Sequence, residues 1–171
     1  MRRPASWVSR VEAFASVKNL IATLTEDDTM IHAKGITKEP DSPRVVEEQR
    51  NVSVDGFLFA AKHEPDGDFH LLVCGAAVFD PTQAMNMEVS GIPDNEFAEV
   101  LFAVRRSFLT QIHHKLGDRY TIYNPPIPVH ITGSLFYDID HRPGVVGPTK
   151  PVDLRPSTAW EIHPVTSFIL R

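Results

Sequence analysis

Two features of this sequence predict a mainly β protein with one or two helices. Five segments alternate apolar and polar residues with the period of two that is typical of strands. One amphipathic segment with helical spacing lies between the third and the fourth of them. This order is that of a small five-stranded Greek-key barrel of the OB type, in which a helix closes one end. A short jelly roll and an α+β sandwich stay open as alternatives, because periodicity does not give the order of strands in a sheet.

Composition limits the class of protein. The chain has 171 residues, of which 42% are hydrophobic and 23% charged, and this is enough for one domain with a buried core. Apolar runs such as residues 57–61 are far shorter than the ~20 residues that a membrane span needs. The single cysteine, Cys74, excludes an intramolecular disulfide and any zinc site made of several cysteines.

The charge of the chain bears on its partners and its location. The formal net charge is −5, so the chain lacks the overall positive field that drives sequence-independent binding to nucleic acids. Arg10 and Glu12 interrupt the basic amino terminus where an export signal would be apolar. We therefore expect a cytoplasmic protein without a membrane partner, and its oligomeric state stays open.

Residues 1–50 are predicted to form a helical extension and a connection, and residues 51–171 the OB-like barrel domain. Apolar residues recur at close to helical spacing over residues 8–24, which predicts a short amphipathic helix that ends at an acidic stretch. Residues 36–50 contain two prolines and seven charged side chains, which are typical of a solvated surface connection.

The first three strands follow one another closely. Residues 51–62 alternate, with Gly56 as a predicted bend or bulge. Residues 68–74 return after a turn that contains Pro and Asp-Gly, so the two segments are predicted to form a hairpin. Residues 85–90 alternate again and are predicted to form a third, half-buried strand.

A helix is predicted over residues 95–116. Asp94 is suited to cap its first turn, because a carboxylate accepts hydrogen bonds from free backbone N–H groups. Apolar residues recur at spacings of three and four, and Gly117 is suited to the left-handed conformation that ends many helices. Arg105 and Arg106 belong to a basic cluster that we expect to be a solvated face of this helix.

Two further strands complete the predicted barrel. Asn124 and the two prolines after it favour an extended approach to the fourth strand, residues 127–139. Residues 142–156 are rich in proline and glycine and are predicted to form a loop. The fifth strand is predicted over residues 159–170.

Three short motifs occur in order over residues 50–170. They are Asp-Gly-Asp-Phe-His-Leu at 66–71, Gly-Ser-Leu-Phe-Tyr-Asp-Ile-Asp-His at 133–141 and Glu-Ile-His-Pro at 161–164. This set resembles a family of small bacterial OB-like proteins with Asp-Gly-Asp-x-His-Leu, Gly-x-x-Phe-Phe-Asp-x-x-His and Glu-x-His-Pro. The chain departs from the family pattern at residues 142–144 and in its third strand, which carries Glu88. The resemblance implies the strand boundaries and the polar positions, and it implies no reaction.

Six polar residues are candidates for binding a ligand. In the OB order the third strand lies between the second and the fifth, and neighbouring strands are about 4.8 Å apart, so polar side chains of three strands can share one ligand. The end of the fourth strand lies close to the same surface. The candidates are His70, Glu88, Asp138, His141, Glu161 and His163.

Imidazole and carboxylate groups together point to a zinc or manganese site, or to a general acid/base pair. No cofactor is required by the sequence, and a divalent metal ion is the candidate cofactor. Its predicted ligands are His70, Asp138, His141 and His163. A structural role is the alternative, because no compact ligand motif such as His-Glu-x-x-His is present.

Asp66 and Asp68 stand close to His70 in the sequence and are expected to be turn formers. An Asp side chain in a turn accepts a hydrogen bond from the backbone two residues on. Their two carboxylates beside an imidazole also keep a divalent cation in consideration.

Three functions are consistent with this pattern. The first is a binding module for a small polar ligand or for single-stranded nucleic acid, which OB-like folds often bind. The second is a metal-dependent hydrolase acting on a phosphodiester, with Glu161 or Glu88 as the base. The third is a structural or oligomerising subunit. We favour the binding module by analogy of fold alone, and we assign no catalytic residue.

Overall fold

The computed structural model describes residues 10–37, 44–91, 97–113 and 115–171. In these ranges the chain is mainly β, with six strands in one sheet and three helices. The strands are β1 (Val11–Phe14), β2 (Asn51–His63), β3 (Phe69–Cys74), β4 (Ala84–Val89), β5 (Thr121–Tyr137) and β6 (Trp160–Leu170). The helices are α1 (Val17–Ile21), α2 (Asp27–Ala33) and α3 (Ala98–Ile112).

The six strands form a ring-like sheet. Their order is β1-β2-β3-β4-β6-β5, and β5 also pairs with β2, which joins the two sides of the sheet. The β1–β2 and β4–β6 pairs are parallel, and the remaining pairs of this sheet are antiparallel. β4 therefore lies between β3 and β6, which is the position predicted for the third strand. The prediction of five strands did not include β1.

The helix predicted over residues 8–24 is wrong. The described part of this segment, from residue 10 onward, forms β1 and then α1. β1 pairs with the start of β2, which supplies hydrogen-bond partners to its backbone. The acidic stretch that was expected to end a helix instead begins α2, with Asp27 and Asp28 in the first turn, where carboxylates interact favourably with the helix dipole. The described chain thus has three helices instead of one or two.

The solvated connection predicted over residues 36–50 is wrong at Glu48, which is fully buried. The Glu48 carboxylate accepts hydrogen bonds from the Val45 N–H at 2.8 Å and from the Tyr137 N–H at 3.0 Å. These bonds attach the segment before β2 to the end of β5. Residues 38–43 of this predicted connection lie outside the described residues.

The strand and helix boundaries differ from the prediction in detail. α3 confirms the predicted helix in a shorter form, and its predicted cap Asp94 lies outside the described residues. His113, with a φ of 54°, adopts the left-handed conformation that was expected of Gly117. The bulge in β2 lies between Leu58 and Ala60 instead of at Gly56.

One apolar core occupies the inner face of the ring. Alternate residues of every ring strand enter it, and α3 covers it with Val104, Phe108 and Ile112. Residues before β2, including Leu20 and Met30, belong to the same core. Because side chains alternate along a strand, the polar residues between the core positions of β3, β4 and β6 lie together on the outer face.

Among the described residues, we find no helix with the length and apolar character needed to cross a membrane.

Candidate metal centre

The outer face of β3, β4 and β6 carries a cluster of polar side chains. His70 on β3 lies directly opposite Glu88 on β4, and Asn86 on β4 lies opposite Glu161 on β6. His163 follows two residues after Glu161, so it shares the same face of β6. Strand alternation and register together bring these five side chains to one patch.

The segment that follows β5 covers this patch. Its turn is held by a hydrogen bond from the His141 N–H to the Asp138 carbonyl at 3.1 Å and by one from the Asp140 N–H to the Asp138 carboxylate at 2.8 Å. The His141 ring packs against the His70 ring, with centroids 5.2 Å apart. Under this cover the side chains of Glu88 and Glu161 are only 5% and 1% exposed.

Glu88 lies at the centre of the cluster and contacts histidines with both oxygens. Its Oε1 is 2.7 Å from His70 Nε2 and 3.9 Å from His141 Nδ1, and it accepts a hydrogen bond from Asn86 Nδ2 at 3.0 Å. Its Oε2 is 2.9 Å from His163 Nδ1. Burial raises the pKa of Glu88, but the imidazoles of His163 and His70 outweigh it and hold this pKa well below the usual value.

Glu161 is the most buried carboxylate of the cluster. Its Oε1 accepts hydrogen bonds from Asn86 Nδ2 at 2.8 Å and from His141 Nδ1 at 2.7 Å. Its Oε2 is buried and has no hydrogen-bond partner among the described residues. Burial, followed by the charge of Glu88, raises the pKa of Glu161 to about 7. A carboxylate in this environment is stabilised by a proton or by a cation.

The three histidines of the cluster have raised pKa values, because nearby carboxylates stabilise their protonated forms. Burial lowers the pKa of His141 and of His163, but nearby carboxylates outweigh it and raise both values to about 9. The main carboxylate is Glu161 for His141 and Glu88 for His163. The pKa of His70 is also raised, because the contact with Glu88 outweighs burial. Without a metal ion, the imidazoles of His141 and His163 therefore carry protons at neutral pH.

All six residues predicted as ligand-binding candidates lie in this cluster. His141 Nδ1 is 3.2 Å from Asp138 Oδ2, which joins Asp138 to the contacts described above. Among the residues that the structure describes, three groups of side chains each offer ligand atoms that lie within 4.8 Å of one another. The groups are His70, Glu88 and His141; Asp138, His141 and Glu161; and Asp68, Glu88 and His163.

Asp68, which was expected to be a turn former, is also a member of the cluster. The Asp66 carboxylate accepts a hydrogen bond from the Asp68 N–H at 3.1 Å, so Asp66 is the turn former. The Asp68 carboxylate instead accepts from the Gly91 N–H and lies 3.7 Å from His163 Nε2. In the sequence, the position of Asp68 two residues before His70, on the same strand face, was the feature that could have placed it in the cluster.

Glu64 and Asn86 are two further residues that sequence reasoning missed. Glu64 Oε1 lies 3.1 Å from His70 Nδ1 and also pairs with Lys62. Asn86 shares the outer face of β4 with Glu88 and donates to two carboxylates. Alternation could have indicated Asn86, whereas Glu64 lies in a turn, where periodicity carries no signal.

An open cleft of about 500 Å³ lies over the cluster. Its wall is mostly acidic, and Phe136 adds an aromatic side chain. Glu161 does not line the cleft and lies beneath it. The lining includes Glu64, Asp68, His70, Glu88, Phe136, Asp138, Asp140, His141 and His163.

The separations between the side chains suit a metal ion. Ligand bonds to zinc are about 2.0–2.2 Å long, so neighbouring ligand atoms in tetrahedral or octahedral geometry lie about 3.0–3.5 Å apart. The measured nitrogen–oxygen separations of 2.7–3.9 Å span this range. These separations are therefore close to those expected between ligand atoms that share one ion.

Comparison with known proteins adds no family to this picture. Neither the protein-family models nor the curated proteins and solved structures contain a match to this chain. The function is therefore inferred from the chemistry of the site itself.

Proposed function

We propose that this chain is a divalent-metal-binding protein of OB-like Greek-key architecture, and that the ion lies beside His141. Its ligands are His70, Glu88 and His141, with Glu161 and Asp138 close enough to supply further oxygens. The observation that carries the proposal is the convergence of three imidazoles on two buried carboxylates, Glu88 and Glu161, where Glu161 Oε2 has no partner among the described residues. Burying such a group is costly unless a charge compensates it.

The OB-like part of the proposal is supported by the strand order. The ring β2-β3-β4-β6-β5 closes through the β2–β5 pairing, and α3 lies between β4 and β5 in the sequence. The parallel β4–β6 pair provides the crossover that a Greek-key path needs. In this interpretation β1 is an addition to the edge of β2.

Ligand chemistry favours a transition-metal ion over calcium or magnesium. Imidazole nitrogen suits zinc, iron, nickel and copper, and carboxylate oxygen suits manganese, whereas calcium and magnesium prefer sites built from oxygen alone. The cleft leaves one side of the ion open to a small polar ligand. Asp66, Asp68 and Asp140 give the wall a negative charge that repels a phosphate backbone, so a small ligand is favoured over single-stranded nucleic acid.

A metal-dependent hydrolase acting on a phosphodiester is the second candidate. The open cleft over the cluster is the observation that favours it, because an ion held beside His141 would face a space for a substrate and would offset the negative charge of the wall. In that reaction a water oxygen bonds to phosphorus, the ester P–O bond breaks, and the departing alkoxide takes up a proton. Metal-dependent cleavage of bis(p-nitrophenyl) phosphate by the purified protein separates this candidate from a binding protein.

Metal analysis of the purified full chain tests the proposed function. After removal of metal with EDTA, we expect zinc or manganese to rebind and to stay bound through gel filtration. His141→Ala is expected to weaken this binding by about 100-fold or more, because it removes a direct ligand. The readouts are elemental analysis and calorimetric titration.

His130→Ala is the matched control. His130 also pairs with a carboxylate, since its Nδ1 lies 2.8 Å from Asp55 Oδ1, but this pair is outside the cluster. We expect the control to bind metal like the wild type. A wild-type protein that holds no metal would contradict the proposal and leave the cluster with a structural role.

A further inference from the structure

We propose that the cleft holds a second divalent metal ion, ligated by Asp68, Glu88 and His163, so that the Glu88 carboxylate bridges two ions. This inference rests on the proposed function, because it extends the site beside His141. The first ion is held around Glu88 Oε1 and the second around Glu88 Oε2. Carboxylate-bridged pairs of this kind hold their ions about 3.5–4 Å apart.

The two oxygens of Glu88 face different histidines. Oε1 lies near His70 and His141, whereas Oε2 lies 2.9 Å from His163. A carboxylate with one metal ligand on each side is the arrangement that bridging requires. The side chain is only 5% exposed, so neither oxygen is free to turn toward bulk solvent.

Asp68 and His163 are held in place without being bonded to each other. Asp68 Oδ2 lies 3.7 Å from His163 Nε2, and that buried nitrogen has no hydrogen-bond partner among the described residues. The other Asp68 oxygen is fixed by the Gly91 N–H. Both side chains are mostly buried, with 13% and 15% exposed. Asp68, Glu88 and His163 each offer one ligand atom within 4.8 Å of the other two, so one ion can contact a single nitrogen of His163 together with both carboxylates.

Charge balance favours two ions over one. Asp68, Glu88, Asp138 and Glu161 carry four negative charges when they are ionised, and two divalent cations balance them while the imidazoles are neutral. A single ion beside His141, with His163 protonated, leaves one negative charge uncompensated in a largely buried cluster, which is costly. Glu64 does not enter this balance, because it pairs with Lys62.

The experiment counts ions in the intact chain. We expect the wild type, reconstituted with manganese, to bind two ions per chain, and Asp68→Asn and His163→Gln each to bind one. Asp66→Asn is the matched control, because it removes a charge from the same turn while its side-chain oxygen can still accept from the Asp68 N–H. We expect it to retain two ions. Thermal melting in EDTA verifies that each variant is folded.

The possible outcomes separate this inference from the proposed function. One ion per wild-type chain overturns the second position and leaves the site beside His141 intact, whereas no bound ion overturns both. Two ions in Asp68→Asn would exclude Asp68 as a ligand and overturn the inference. Electron paramagnetic resonance of the wild type needs no substitution. Exchange-coupled manganese supports the Glu88 bridge, and two uncoupled signals overturn it.

Discussion

Glu161 shows how one buried carboxylate can oppose the stability of a fold. Its carboxylate lies beneath the cleft, 1% exposed, next to the charge of Glu88. In the described part of the chain, hydrogen bonds from His141 and Asn86 to one oxygen of Glu161 offset part of the cost of burying its charge, and the other oxygen has no hydrogen-bond partner. Residues selected for function often carry such a cost.

We expect Glu161→Gln to retain or increase the stability of the metal-free protein and to weaken metal binding about 100-fold. Glutamine has the same shape and can still accept hydrogen bonds, but it adds no charge beside Glu88 and is a poorer metal ligand. Thermal melting in EDTA and calorimetric zinc titration measure the two effects. Lower stability in EDTA together with unchanged zinc affinity would contradict this expectation.

At the scale of elements, α3 positions the turn that carries Asp68. Arg105, which was expected on a solvated face, is half-buried and donates to the Gly67 carbonyl at 2.6 Å and to the Ser90 carbonyl at 3.3 Å. Its guanidinium also lies 4.3 Å from the centre of the Phe69 ring. The helix is thereby linked to the turn before β3 and to the end of β4.

We expect Arg105→Ala to lower the affinity for metal by about tenfold without unfolding the chain. Loss of two hydrogen bonds lets the turn relax and moves Asp68, and changes in such supporting contacts commonly cost 10–100-fold in metal affinity. Calorimetric manganese titration and thermal melting provide the readouts. Arg106→Ala is the control, because Arg106 is exposed and lies 5.8 Å from the Phe102 ring. Equal affinities in the two variants would exclude this role for Arg105.

At the scale of the whole molecule, the cluster makes stability depend on pH. The folded-state pKa of His141 and of His163 is about 9, against 6.5 in an unperturbed histidine. Between these values the folded chain binds more protons than the unfolded chain, so stability falls as pH rises. The pKa of Glu161 is raised from 4.5 to about 7, so this residue also makes stability fall as pH rises, but over a lower pH range.

We therefore expect the metal-free protein to melt at a lower temperature at pH 9 than at pH 6.5. Each unit of pKa shift corresponds to about 1.4 kcal/mol, and each kcal/mol to roughly 2–4 °C in a chain of this size. Saturating zinc is expected to reduce or reverse the difference, because metal binds the deprotonated imidazole. A melting temperature of the metal-free protein that rises from pH 6.5 to pH 9 would contradict the raised pKa values of His141 and His163.

Strand alternation made most of the site predictable. The polar parity of β3, β4 and β6 identifies His70, Glu88, Glu161 and His163, because a strand cannot turn a residue to its other face without a change of register. His141 follows from its closeness to the end of β5. Asp68 was expected to be a turn former, with a divalent cation only kept in consideration, because turn chemistry explains an Asp at this position equally well.

The parts of the fold that were predicted incorrectly depend on contacts between residues far apart in the sequence. β1 is a strand because it pairs with β2, and the local sequence of residues 8–24 has helical spacing instead. Glu48 is buried because it accepts from the Tyr137 N–H. Gly56 is needed because Val73 packs closely against its Cα and not because of a bulge: a Cβ at this position would lie 2.7 Å from Val73 Cγ1. Such contacts leave no local period in the sequence.

Asp68, Glu88, His141 and His163 lie on four segments that are distant from one another along the chain. Ions held by these residues would act as noncovalent cross-links, and the ion beside His141 and Glu161 would close the long proline-rich excursion between β5 and β6 at both of its ends. Closing such a loop lowers the entropy of the unfolded chain. The excursion would then open only when the metal is released, so its susceptibility to proteases would follow metal occupancy.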